Sequence, residues 1–189
     1  MATTRFTSKD LDALPDKPGW RYEIIDGELH VTKAPGWPHN IVLTRMFSAL
    51  DEWNRGAGLG EVAAGPGLVF AEDDDAIPDL VWISHARLRA ALGADQHLHR
   101  APELVVEVLS PGAANLRRDR VLKLALYDRR DVDEYWIPDG GGRQVEVYRS
   151  IGGELRLVAT LREGDTLTSP LLPGFACPTA SLFAGADLQ

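Results

Sequence analysis

The segment Glu103-Leu104-Val105-Val106-Glu107-Val108-Leu109 is apolar on both faces and ends at Ser110-Pro111-Gly112. A strand of that kind belongs in the middle of a sheet covered above and below. Glu107 stands inside it. A carboxylate in such surroundings is strongly disfavoured unless it gains a partner, a shifted pKa or a metal ion. A second acid has a similar setting, Asp79 in Ile77-Pro78-Asp79-Leu80-Val81-Trp82-Ile83. The intervening stretch is long enough for a helix and a loop, so the two strands can be neighbours in one sheet and carry both carboxylates to a common edge.

The 189 residues, 44% hydrophobic and 25% charged, read as one globular domain spanning 1–189, with its core at about 20–183. Met1-Ala2-Thr3-Thr4-Arg5-Phe6-Thr7 carries no apolar run, and no stretch approaches the roughly 18 apolar residues of a membrane span, so no membrane association and a cytoplasmic location are expected. The lone Cys177 excludes an internal disulfide and a multi-cysteine zinc cluster and reads as apolar filler. The net charge of −8 argues against non-specific coating of nucleic acid, which needs many cations on phosphates. Local contact is still allowed: Arg117, Arg118, Arg120, Lys123, Arg129 and Arg130 follow the Glu107 strand, as a positive surface beside the carboxylates or as a solvated helix face.

The rest of the chain alternates strand and helix signals. Trp20–Ile25 and Glu28–Thr32 around Asp26-Gly27 read as a hairpin. Val42, Met46, Ala49, Leu50 and Trp53 recur at helical spacing from Pro38, with Gly56 and Gly58 as the stop. Strands are expected at 60–64 and 68–71, then a solvated acidic turn, Glu72 to Asp75. Ser84 can cap a short helix to Leu92. His97 and His99 read as loop residues with no acidic companion, and a helix is expected from about Asn115 to Arg129. The last third reads as strands only, a β-meander turning at Asp139-Gly140-Gly141-Gly142 and Ile151-Gly152-Gly153.

Two carboxylates at one sheet edge could share a hard cation such as magnesium, which takes oxygen ligands and keeps several waters. Such a site suits phosphodiester hydrolysis, with the metal polarising the phosphate and acidifying an attacking water. Lys123, two turns into the following helix, could point back toward the end of the Glu107 strand and position that water. Asp119, four residues before it, offers the plainer alternative of an exposed helix pair.

These residues carry a resemblance. Pro78-Asp79 with Glu107-Val108-Leu109 resembles the bipartite motif of the PD-(D/E)xK nuclease superfamily. Adding Tyr22-Glu23-Ile24-Ile25-Asp26-Gly27-Glu28-Leu29, Ala101-Pro102-Glu103, Lys123 with Tyr127, Glu134-Tyr135-Trp136 and Val145-Glu146-Val147-Tyr148, the chain is similar, from about Trp20 to Phe183, to the restriction-endonuclease-like family called Uma-two. The resemblance implies an α/β (α+β) fold, a restriction-endonuclease-like mixed β-sheet flanked by helices, with an N-terminal β-hairpin and a C-terminal β-meander. It implies an Mg2+- or Mn2+-dependent endonuclease acting on DNA, with Asp79 and Glu107 as metal ligands and catalytic residues and Lys123 as the catalytic ammonium. Glu28 or Glu23 could add an acid, and His39 could face the same cleft. One position departs from the pattern: the lysine expected two residues after the glutamate is Leu109. That departure keeps a second reading open, a binding or scaffold module on a nuclease fold, and the same carboxylates would also serve a small-molecule hydrolase. A homodimer is expected by analogy with nucleases that cut two strands.

Overall fold

The computed structural model describes residues 5–15 and 17–186. Met1 to Thr4, part of the N-terminal reading above, lie outside the described residues. A short helix α1 (Ser8–Asp12) precedes the hairpin of β1 (Trp20–Ile25) and β2 (Glu28–Lys33). Asp26 and Gly27 turn it at positive φ, 52° and 73°, the backbone that a tight two-residue hairpin turn requires. Helix α2 (Trp37–Ala57) buries Val42, Met46 and Leu50 along one stripe. It ends at Gly58, which is left-handed and donates its N–H to the Asn54 carbonyl at 2.7 Å.

Strands β3 (Gly60–Ala64), β4 (Leu68–Ala71), β5 (Asp74–Ala76) and β6 (Leu80–Ser84) follow. Ser84 caps α3 (His85–Ala91), its hydroxyl accepting from the Arg87 N–H at 3.1 Å. Then come β7 (Leu104–Val106) and a continuous helical run of α4 (Ala113–Arg117), a π-helical turn (Arg118–Lys123) and α5 (Leu124–Arg129). The meander is β8 (Glu134–Asp139), β9 (Gln144–Ile151) and β10 (Glu154–Arg162). A small ribbon of β11 (Thr166–Leu167) and β12 (Cys177–Pro178) and a final helix α6 (Thr179–Phe183) close the described chain. The expectation of strands alone in the last third therefore misses α6.

A six-stranded mixed sheet, order β10-β9-β8-β7-β6-β3, forms the centre, with β7 and β8 parallel and the other pairs antiparallel. One face, with Leu80, Trp82, Leu104, Val106 and Trp136, packs on α2 and the C-terminal segment. The other, with Val81, Val105, Leu109, Tyr135 and Ile137, packs on Leu126 and Tyr127 of α5 and on Ile25, Leu68 and Ala76. Those last three belong to a second, antiparallel sheet, order β2-β1-β5-β4.

Three readings are corrected here. The strand expected from Glu103 to Leu109 pairs on both sides only over Leu104–Val106, because the Asp79 carboxylate takes the Val108 N–H at 2.9 Å where a neighbouring strand would have accepted it. On the other side the chain still follows β8, through Glu107 N–H to Trp136 O and Leu109 N–H to Pro138 O. The helix expected from Asn115 to Arg129 is interrupted by the π turn. The acidic turn is not merely solvated either: Asp74 is buried, accepts the Asp26 N–H at 2.8 Å and pairs with Arg129 and Arg130 across to α5.

Candidate active site

Extending the Leu80–Val106 pairing by one step sets Asp79 opposite Glu107. The odd-numbered neighbours Val81, Val105 and Leu109 all face the α5 side, and Asp79 and Glu107 follow the same alternation. Both acids line one cleft of about 440 Å³, together with Glu23, Arg21, His39, Arg118 and Lys123. The expected convergence of Asp79, Glu107, Lys123, Glu23 and His39 thus occurs at a single place. Glu28 does not join them: it is exposed on β2 just beyond the hairpin turn and does not line the cleft.

Lys123 is buried to 2% exposure and bridges two acids, its Nζ 2.8 Å from Glu107 Oε1 and 2.9 Å from Glu23 Oε1. The exposed helix pair is therefore excluded, and Asp119 instead pairs with Arg118, Nε to Oδ1 at 2.8 Å. Glu23 reaches the site because β1 lies between β2 and β5, not at the sheet edge. Its Oε1 also accepts the Ile77 N–H at 2.8 Å. Tyr127, one turn after Lys123, donates its hydroxyl to Glu107 Oε1 at 2.6 Å. Both contacts to Glu107 fall on Oε1, and Oε2 takes no hydrogen bond among the described residues.

Asp79 is held differently. Its Oδ2 accepts from Val108 N–H and lies 2.9 Å from His39 Nε2, while Oδ1 lies 3.2 Å from Arg21 Nη1. Burial pushes the Asp79 carboxyl up, but His39, Lys123 and the Val108 N–H more than offset it, and the net shift is downward. Glu107 goes the other way. Burial dominates, the attraction of Lys123 opposes it, and Asp79, Asp119 and Glu23 add like-charge repulsion, so its carboxyl is held up to about 8. Burial lowers the Lys123 pKa, yet Glu107, Glu23 and Asp119 raise it further, so the ammonium is kept charged.

Sequence reasoning passed over Arg21 and the role of Tyr127, and it named Arg118 only within a basic run beside the carboxylates; both arginines line the cleft. Arg21 shares a face of β1 with Glu23 at a spacing of two, and Tyr127 shares a helix face with Lys123 at a spacing of four, so both were within reach of periodicity. Arg118 was not, because a spacing of five reaches the face of Lys123 only through a π turn. His97 and His99 do have an acidic companion, Asp95, with His99 Nε2 2.9 Å from its Oδ1, but they stand on an exposed loop away from the cleft.

The donor chemistry suits a hard divalent cation. Glu107 and Glu23 flank one ammonium with Asp79 close by, and a bound cation would offset the burial and the like-charge repulsion that keep a proton on Glu107. Among the described residues no group of three or more His, Cys, Asp or Glu side chains is arranged to hold a metal ion. Two carboxylates completed by water and substrate oxygens are the usual pattern for magnesium.

The Uma2 family model, described as "Putative restriction endonuclease", matches residues 8–180. The chain belongs to the Uma2 family. No curated protein matches this Uma2 chain. The solved structure of "a putative nuclease belonging to DUF820" from Anabaena variabilis superposes with a TM-score of 0.75 at 15% identity, covering 96% of the Uma2 chain and 99% of its own. The type IIG restriction endonuclease BpuSI aligns at a TM-score of 0.40 and 14% identity, over 80% of the Uma2 chain and 16% of its own. The restriction-endonuclease-like fold follows from the family and the first of these superpositions. Among the described residues, no helix of the Uma2 protein is long and apolar enough to cross a membrane.

Proposed function

We propose that the protein is a metal-dependent endonuclease that hydrolyses phosphodiester bonds in DNA, with Asp79 and Glu107 holding Mg2+ or Mn2+ and Lys123 assisting. The observation that carries this reading is the register: Asp79 and Glu107 stand one step past the last β6–β7 pair, Leu80 with Val106, and line one cleft with a buried ammonium 2.8 Å from Glu107. A cation bound there supplies Lewis acidity toward the phosphate and lowers the pKa of a coordinated water. Lys123 does not act as a base, since its carboxylate partners keep it protonated. It sets a fixed positive charge beside the site and orients Glu107 through Oε1, leaving Oε2 for the cation. Tyr127 holds the same oxygen, and His39 and the Val108 N–H fix the rotamer of Asp79. Arg21 and Arg118 present guanidinium groups to the oxygens of the substrate backbone.

Leu109 at the usual lysine position is compatible with turnover because Lys123 brings its ammonium to Glu107 from the helix. A binding module without turnover is the competing reading, and cation titration separates the two. Isothermal calorimetry with Mg2+ or Mn2+ should give one site in the wild type and none in Asp79→Ala or Glu107→Ala, and supercoiled plasmid should be nicked only where the site binds. Heats of binding unchanged in Asp79→Ala would remove the proposed site, and nicking that survives Glu107→Ala would assign the cleavage to other residues.

A further inference from the structure

Beside the acidic cleft lies a second cavity of about 500 Å³ with a different lining. Pro38, Val42, Leu109, Pro111 and Leu116 supply apolar walls, and the two cavities share Gly36, His39, Ser110 and Pro111. The slot sits past the ends of the parallel strands β7 and β8, between the start of α2 and the Asp139–Gly141 turn. Its charged side chain, Asp139, is already engaged, Oδ1 by the Gly142 N–H at 2.9 Å and Oδ2 by Arg120 at 3.5 Å. Among the described residues, the common wall holds one buried side-chain polar atom without a hydrogen-bond partner. His39 is 9% exposed; its Nε2 meets Asp79, and its Nδ1 is buried with no hydrogen-bond partner.

An apolar chamber that shares a wall with the cleft proposed to hold the scissile phosphate, with one buried hydrogen-bonding atom in that wall, has the composition of a site for a planar heteroaromatic ring. Resting on the nuclease reading above, we infer that this slot takes a nucleobase adjoining the scissile phosphate, unstacked from its neighbours, and that the enzyme therefore prefers single-stranded or locally unpaired DNA to continuous duplex. A base inside a duplex cannot enter the slot without leaving the stack and its partner. In a single strand the entry cost falls to that of breaking the base's stacking on its neighbours. Leu109 takes on a definite role here: the apolar side chain in place of the motif lysine forms part of the slot wall, while Lys123 supplies the ammonium from the helical run.

The glycine at 140 allows the slot to be closed cleanly. A Cβ added there meets Val42 Cγ2 at 3.7 Å, ordinary contact, and Gly140 is not among the residues at positive φ. Gly140→Phe should therefore project a ring toward Val42 without straining the turn. The test measures fluorescence anisotropy of a labelled thymidine oligonucleotide, alone or in duplex, with Ca2+ in place of Mg2+, so that affinity is read independently of turnover. Wild type should bind the single strand about tenfold more tightly than the duplex, and Gly140→Phe should lose most of that difference while its Mg2+ titration stays unchanged. Abasic substitution scanned along the strand, which needs no protein variant, should weaken binding severalfold at one position only. Equal affinity for strand and duplex, a flat abasic scan, or a folded Gly140→Phe protein that binds as wild type would each overturn the slot assignment. Slot-dependent binding without any cleavage would instead refute the nuclease reading and leave the slot standing.

Discussion

At the scale of single residues, Glu107 is where stability and chemistry pull apart. Its carboxyl is raised from 4.5 to about 8, with burial as the main cause, so the native state holds a proton there that the unfolded chain has released. The stability this group contributes is complete below pH 4.5 and is lost as the pH rises to about 8. At about 1.4 kcal/mol per pKa unit, the loss in metal-free protein could reach about 5 kcal/mol. Glu107→Gln removes that dependence. In EDTA its urea midpoint should exceed that of wild type at pH 8 and converge with it toward pH 4.5, while its Mg2+ binding is abolished. Parallel stability curves for the two proteins across that window would show that Glu107 ionises as an ordinary carboxylate.

At the scale of elements, the strands and turns were legible because their signals are local. Asp-Gly at the first turn, Ser84 at a helix start and the stripe of Val42, Met46 and Leu50 each act within a few residues. Asp79 and Glu107 were legible for a related reason, since an acid inside an apolar strand is conspicuous wherever the strand goes. The π turn was not, because 3.6-residue periodicity assumes the regular helix that it interrupts. The burial of Asp74 was hidden as well, being set by Arg129 and Arg130 more than 50 positions away. The π turn makes its own prediction. It places Arg118 and Lys123, five apart, on one cleft, and Tyr135 donates its hydroxyl to the Asp119 carbonyl within the turn at 2.9 Å. Deleting the exposed Val121 leaves those two residues four apart, a spacing that an ordinary α-helix also puts on one face. That variant should unfold within about 1 kcal/mol of wild type and keep its cation titration. Deleting the exposed Ala125 rotates Leu126 and Tyr127 out of the core relative to Lys123, and should cost more than about 4 kcal/mol. Chemical denaturation of the two variants side by side decides it; comparable losses would mean that the π turn itself is needed.

At the scale of the whole molecule, the question is how a chain of net charge −8 engages a polyanion. Of the arginines in the basic run that follows the Glu107 strand, Arg118 is tied to Asp119, Arg120 to Glu146 and Asp139, and Arg129 and Arg130 to Asp74; elsewhere Arg87 pairs with Glu103 and Asp133, and Arg149 with Glu134. The pairs with Asp74 dock the end of α5 onto the second sheet, and the pair of Arg120 with Glu146 docks the helical run onto the central one. Around the cleft Arg21, Lys33 and Arg118 line the wall, with Arg21 held by Asp79 and Arg118 by Asp119, and the ammonium of Lys123 lies behind them. Lys33 and Lys17 also flank the ring of Trp20, 5.5 and 4.6 Å from its centroid, at the cleft wall. DNA binding should therefore be local and only modestly salt-dependent. With three cleft cations each displacing a counterion, the logarithm of the association constant for a single strand should fall with the logarithm of salt concentration at a slope of about −2, and Arg118→Gln should reduce its magnitude by about 0.7. A slope several times steeper, measured by anisotropy across a potassium chloride series, would place the contact on another surface with more cations than this cleft presents.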